Sequence, residues 1–366
     1  MIEGQVDNLA PTHRGNDVIS APVSAFAVPE ETPQGRSWRG AINALRAVFR
    51  NRKAVIGALI LLAFGLVAIF APVISPGDPN DLVARRHQPP SIDIRTTTVL
   101  GVPLPTGISM GEHWFGTSGA GQDVFDQTVW GTRQSLSVGI AVGLLTTALA
   151  VLFGMTAGYF GGRVDDLLSL FTNVFLIIPT LPLLVVLVGF LGSGGTLYFI
   201  GVLAVTGWSW GARVLRAQTL SLREKDFVSA AEVSGESRIR IILGEIFPNM
   251  ISIVAANMFG ATIYAIGAMA ALEFLGLGNP SQISWGTNLY WAANNGALLT
   301  GAWWTVVPSG VSIALVAFAF ALVNYAVDEV TNPRLRALRM AKDALKAAGK
   351  AQKRQGRATP VIRHAN

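Results

Sequence analysis

The sequence contains no cysteine. That excludes disulfides, thiolate metal sites and a cysteine nucleophile. Histidine is nearly as scarce. His13, His87, His113 and His364 are far apart and none lies in an apolar run, so no helical zinc motif can form. Charge is the third shortage. Asp, Glu, Lys and Arg make up 14% of the chain, against about 25% in a soluble domain. The missing charge is missing in blocks. None occurs between Lys53 and Asp78, Arg133 and Arg163, Asp166 and Arg213, Glu245 and Glu273, or Glu273 and Asp328. Each gap exceeds the roughly 20 apolar residues of one helical span. Nor is there a G-x-x-x-x-G-K-[ST] string, so the chain has no phosphate cradle of the P-loop kind and cannot itself hydrolyse ATP. Apolar gaps this poor in charge lack the paired acid, base or metal ligands of a membrane-embedded enzyme. An ion-coupled secondary transporter, the weaker alternative, would call for buried charged relays and often inverted repeats, and the near absence of charge in the apolar gaps argues against it.

What remains is an all-α membrane protein with six transmembrane helices. They are expected at about Ala54–Ile74, Ser135–Tyr159, Leu167–Leu191, Thr196–Leu215, Asn249–Leu275 and Trp303–Val327. The third and fourth are divided at Gly192-Ser193-Gly194-Gly195, a turn signal. The stretch after Gly276, with Asn279-Pro280, Asn294-Asn295 and Gly296, is too polar to face lipid and reads as a loop with short helical pieces. Pro179 and Pro182 are expected to kink the third helix, leaving backbone groups able to face a cavity. The organisation is then a disordered cytoplasmic segment (1–37), an N-terminal transmembrane helix (38–75), an external loop (76–133), a core of five helices (134–330) and a basic tail (331–366). The first apolar run begins at Ala54 and is too long for a signal-peptide h-region.

Orientation follows from the 28 Lys and Arg residues. Four fall in the loop before the second span and the rest lie on the other side. A cytoplasmic excess of Lys and Arg places both termini inside. The net charge of +6 is thereby explained as an orientation signal, and a nucleic-acid partner becomes the weaker reading. The tail from Arg334 to Arg363 also suits anionic membrane lipid.

The cytoplasmic stretch between spans four and five, residues 221–249, is longer than a connector needs to be. Ser221-Leu222-Arg223-Glu224 fits a capping box. Phe227, Ala230, Ala231 and Ser234 recur at helical spacing and form a small-residue face that another backbone could approach closely. Gly235 permits a break, Ile239 to Ile246 start a second short helix, and Pro248 falls where a helix begins.

The string REKDFVSAAEVSGESRIRIILGEIFPN, residues 223–249, resembles the EAA loop of binding-protein-dependent ABC importer permeases, most closely the dipeptide, oligopeptide and nickel branch. Ala230, Ala231, Gly235 and Pro248 match that pattern, and Ser229 stands where the family carries Glu. HWFGTSGAGQDVFDQTVWGTRQSL at 113–136, FLGLG and SWG between Phe274 and Gly286, and DEVTNPRLR at 328–336 resemble further segments of the same branch, with Gln122 in place of its usual Arg. The likeness runs over about residues 40–337. It implies a type I ABC importer permease fold, of the second permease type, with a cytoplasmic coupling helix. Phe227, Ser229, Ala230, Ala231, Gly235 and Pro248 would couple it to the ATPase. It further implies a second permease subunit, two ABC ATPase subunits that bind ATP and Mg, an extracytoplasmic solute-binding protein, and a place in the inner membrane. No cofactor or metal is expected in this chain. Peptides are the expected cargo, with oligosaccharides or nickel as alternatives within the branch.

Several residues have two readings. Glu273, the lone carboxylate in a long apolar region, is an intramembrane functional group or, as the favoured reading, a water-exposed residue at the end of span five. Asn257 and Asn324 read as interhelical hydrogen-bond partners rather than substrate ligands. Gly139, Gly143, Gly154 and Gly158, with Gly260 and Gly267, suit close helix packing, and the first four could mark a dimer face. Trp303 and Trp304 read as interfacial anchors, and Asp123 and Asp126 as solvated or capping residues.

Overall fold

The computed structural model describes residues 51–90, 92–99, 102–110, 113–191 and 195–331. The expected N-terminal segment, most of the basic tail and most of the Gly192–Gly195 turn lie outside the described residues.

Helix α1 (Arg52–Ile74) is capped by Asn51, whose side chain accepts from the Lys53 N–H at 3.1 Å. A hairpin of β1 (Ile92–Val99) and β2 (Val102–Met110) follows, antiparallel with a register shift between Arg95 and Thr96. This hairpin is an addition to the all-helical expectation. Its signal was legible, a run rich in Ile, Val and Thr interrupted by Leu100-Gly101. Helix α2 (Val124–Phe160, 37 residues) is the central pillar. Helices α3 (Gly162–Ile177) and α4 (Thr180–Leu191) follow, then α5 (Gly195–Arg223) and the short α6 (Asp226–Val233). Helix α7 (Arg238–Phe274) is wound as a π-helix over Ile241–Ile246. After it come α8 (Trp285–Asn294), a 3-10 turn at Trp303–Thr305 and α9 (Val307–Thr331).

Among the described residues, α1, α2, α7 and the run Trp303–Val327 are each long and apolar enough to cross a membrane. The pair α3 and α4, bent by 86°, makes a fifth candidate span. The expected count was six. The shortfall is α5, which is 29 residues long but carries Thr206, Trp208, Ser209 and Trp210 in its middle. Much of it is buried against α2 and α7, where apolarity toward lipid is not required. The bend falls where proline dictates. Ile178 is extended at φ −69° and ψ 125°, as a residue before proline prefers. Pro182 sits in the first turn of α4, where a missing N–H costs nothing, so Pro179 alone marks the break.

Small residues set the helix spacing inside the chain. A Cβ on Gly139 or Gly143 would run into Ile266 or Thr262 of α7. One on Gly154 would lie 2.5 Å from the Ala212 carbonyl of α5, and one on Gly158 2.7 Å from Thr219 Cβ. All four glycines therefore serve packing within the subunit. Gly260 and Gly267 differ from expectation, since nothing lies within 4 Å of a Cβ built there.

The loop before α2 is stitched down by hydrogen bonds to backbone carbonyls. Thr117 N donates to Gln88 O at 2.9 Å and Thr117 Oγ1 to Arg85 O at 2.6 Å. Trp304 Nε1 donates to Thr117 O at 3.2 Å, so this tryptophan clamps the loop, while Trp303 is exposed. Asp123 caps α2, accepting from Phe125 N at 2.7 Å, and its other oxygen lies 2.7 Å from His113 Nδ1. It is buried, so capping rather than solvation is its role.

Candidate functional site

Two features carry chemistry: the segment around α6 and a cavity at the broken helix pair. At 8 residues, α6 is too short to persist in water by itself. It is held by packing. Val228 is 1% exposed and enters an apolar cluster with Met155, Tyr159, Leu215, Ile241 and Met250, against which Phe227 and Ala231 also pack. Tyr159 OH donates to Glu232 Oε1 at 3.3 Å. The C-terminus is closed by a Schellman pair: Gly235 N donates to Glu232 O at 3.0 Å and Glu236 N to Ala231 O at 3.1 Å. That closure requires the left-handed conformation at Gly235, φ 79°, where a Cβ is strained.

The expected capping box at Ser221 does not form a helix start. Residues through Arg223 complete α5, and Lys225 begins α6 without a side-chain cap. Nor do Phe227, Ala230, Ala231 and Ser234 share one surface. Phe227 and Ala231 turn toward the bundle, whereas Ser229, Ala230, Ser234 and Gly235 are exposed. Pro248 is buried, directly after the π-wound turns. A proline inside a helix leaves a carbonyl without its donor and crowds the preceding turn, and the wider π winding accommodates this. The two helices expected from Ile239 to the fifth span are thus one continuous helix. Sequence reasoning missed Val228, the anchor, and Val233, which is 90% exposed. With Ile239 and Leu243, both also exposed, Val233 adds apolar side chains to this end of the bundle. A valine on each side of the alanines was the available signal.

Beside this end, Asp165 of α3 and Arg216 of α5 form a two-pronged ion pair, Nη2 to Oδ2 at 2.6 Å, supported by Ser169 Oγ at 2.9 Å. It ties α3 to the bundle, which otherwise buries little of that helix: Thr172 is its one buried side chain.

The second feature is a cavity of about 590 Å³ where α2, α5, α7 and α9 meet the break between α3 and α4. Its walls include Thr146, Phe175, Leu176, Thr180, Asn257 and Tyr264, and no charged side chain lines it. Asn257 donates to Thr147 Oγ1 at 3.1 Å and so serves as an interhelical partner. Asn324 departs from that expectation: its Oδ1 is buried at the cavity with no hydrogen-bond partner.

At the far end of α7, Glu273 also departs from expectation. It is 4% exposed. Ser284 Oγ donates to its Oε2 at 2.5 Å, and Ser284 is the N-cap of α8 in a capping box with Thr287. The carboxylate therefore sits at a helix N-terminus, where the dipole favours negative charge. Gly286 leaves room for it, because a Cβ there would collide with Glu273 Oε2. The segment that reads as a polar loop is in fact locked into the bundle by Glu273 and by Trp285, which is fully buried and meets Phe64 edge to face.

Comparison with known proteins places these features in context. Residues 150–337 match the family described as binding-protein-dependent transport system inner membrane component. Residues 41–90 match the N-terminal TM domain of oligopeptide transport permease C. The dipeptide transport system permease protein DppC of Bacillus subtilis is 32% identical over 80% of this chain and 86% of its own. The oligopeptide transport system permease protein OppC of the same organism is 30% identical over 82% and 90%. OppC of Mycobacterium tuberculosis is 30% identical over 81% and 95%. With a helical bundle apolar enough to span a membrane, and likeness of this extent and coverage, the chain belongs to the family of binding-protein-dependent transport system inner membrane components and is a membrane-spanning permease of an ABC transporter.

Proposed function

We propose that the chain is one of two permease subunits of an ATP-driven importer that carries di- or oligopeptides across the cytoplasmic membrane. Two ATPase subunits bind ATP and Mg, an extracytoplasmic binding protein delivers the peptide, and both termini of this chain are cytoplasmic. The names of the relatives support peptides over oligosaccharides or nickel.

One observation carries the mechanism. The short α6 is welded to the bundle through Val228 and leaves Ser229, Ala230 and Val233 exposed. An element fixed on its inner side and uncovered on its outer side suits insertion into a cleft of a moving partner. Closure of the ATPases would push α6, and the ends of α2, α5 and α7 packed behind it would follow as a rigid body. Phe227 and Ala231 serve the inner contact, Ser229 and Ala230 the outer one. Gly235 and Pro248 shape the turns on either side.

The test uses the whole complex in proteoliposomes. Val233→Glu places a charge on the outer side without touching the inner cluster. Uptake per ATP hydrolysed is expected to fall at least tenfold while both permeases still copurify. Normal coupling in this variant and in Ala230→Glu would overturn the assignment.

A further inference from the structure

A smaller crevice, of about 250 Å³, opens between α2, α3 and α5 beside the Asp165–Arg216 ion pair. Its polar wall is Ser169, Thr172 and Asn173 of α3 with Arg213 and Arg216 of α5, and no carboxylate lines it. Most of these groups are already engaged. Arg216 gives Nε and Nη2 to Asp165, and Ser169 Oγ donates to the same carboxylate. Thr172 Oγ1 donates to Leu168 O at 2.8 Å. What is left is the Arg213 guanidinium and the Asn173 amide, both exposed. Among the described residues no ion pair engages Arg213.

The crevice lies where the chain passes from polar to apolar. Asp166 closes the charged turn after α2, and Arg213 is the next charged residue in the sequence. Everything between them is free of charge, so both helices reach the boundary of the apolar zone at the level of this crevice. Leu170, Phe171 and Val174, on the same helix as Asn173, are exposed apolar side chains. At such a boundary in a bilayer the neighbouring anions are headgroup phosphates. A guanidinium offers phosphate two parallel N–H donors, and basic pockets between transmembrane helices suit anionic headgroups. An arginine facing hydrocarbon without such a partner is costly. Size narrows the choice. A helix is about 10 Å across and cannot enter so small a hollow, and sites for whole small molecules start at roughly 300 Å³. A choline headgroup would bring an ammonium with no carboxylate in the crevice to meet it.

We propose that this crevice binds the phosphate of an anionic phospholipid, with Arg213 and Asn173 as its donors and the acyl chains lying along Leu170, Phe171 and Val174. The site does not depend on which solute is carried. The lipid braces α3 against α5, where the chain's own packing is sparse. Free phosphate shares the headgroup chemistry but has nothing to lay on the apolar side chains.

The experiment uses the complete transporter in phosphatidylcholine nanodiscs, with a small share of either phosphatidylglycerol or phosphatidylcholine carrying a photoactivatable acyl chain. Cross-links are mapped by peptide mass spectrometry on α3 and, for general lipid contact, on α1, whose Leu59, Leu62 and Leu66 are exposed. The phosphatidylglycerol probe is expected to label α3 about fivefold more than the phosphatidylcholine probe, with α1 labelled equally by both. Arg213→Gln should bring the α3 ratio close to one, and Arg213→Lys should keep most of it. Unlabelled phosphatidylglycerol should compete, and inorganic phosphate should not. Equal labelling of α3 by the two probes, or an undiminished preference in Arg213→Gln, overturns the site. So does an α3 that neither probe reaches, the result if a protein partner covers the crevice. Competition by inorganic phosphate as strong as by the lipid overturns the lipid as ligand. Should Arg213→Gln fail to copurify with its partners, Asn173→Leu, at an exposed position, decides the matter: a full preference retained there overturns the site.

Discussion

Shortening Val228 to alanine tests whether α6 is held by packing. Val228 is 1% exposed and faces Met155, Tyr159, Leu215, Ile241 and Met250. Val228→Ala removes two methyl-sized groups, at about 0.8 kcal/mol each for lost burial. The residual cavity raises the total to roughly 2 kcal/mol. The helix is too short to compensate from its own propensity. Its other attachments are Phe227, Ala231 and the 3.3 Å bond from Tyr159 to Glu232. A loss of about 2 kcal/mol raises the undocked population roughly thirtyfold. Hydrogen exchange of the purified complex should report this directly, with amides of Val228 to Glu236 exchanging faster by about that factor and those of α2 unaffected. Uptake per ATP should fall in parallel. Unchanged exchange in Val228→Ala, or equal acceleration in Val233→Ala at the exposed position, would show that side-chain burial does not hold the segment.

Three further outcomes follow from the packing. Gly154→Val forces a side chain against the Ala212 carbonyl and should lower the detergent melting temperature by at least what about 3 kcal/mol of overpacking implies, whereas Gly267→Ala, which meets nothing, should leave it within a degree or two. Glu273→Ala strips Ser284 of its acceptor and the N-terminus of α8 of its carboxylate. A cost of roughly 2–3 kcal/mol should appear in thermal unfolding and as easier proteolysis between Gly276 and Trp285, and an unchanged melting curve would refute the locking role. Pro179→Ala removes the residue that prevents α3 from continuing into α4. The subunit should still assemble while uptake falls about tenfold or more, and wild-type uptake would show that the 86° break is held by something other than proline.

Much of the architecture was legible because its causes are local. Charge-free blocks mark apolar spans, Pro179 marks the break, and the polar stretch after Gly276 marks a chain that cannot face lipid. The short helix after Arg223 was visible in the spacing of its small residues, and Gly235 in its need for a left-handed turn. The hairpin of Ile92–Met110 was also written in β-branched residues.

Faces were another matter. A helix apolar on all sides has little amphipathic signal, so spacing shows that α7 spans without showing which side meets lipid, protein or a cavity. Gly139 and Gly260 look alike in the chain, yet one presses on Ile266 and the other borders open space. Asn257 and Asn324 look alike, yet only the first finds a partner for its amide across the helices. Glu273 looks like an end-of-span residue until α8 folds back and buries it beneath Ser284. Sequence by itself determined where most of the apolar helices lie and where the third expected span breaks, since those follow from hydropathy and proline along a few neighbouring residues. Tertiary structure alone decided which side chains became anchors and which were left outward, because each depends on a neighbour tens to hundreds of residues away.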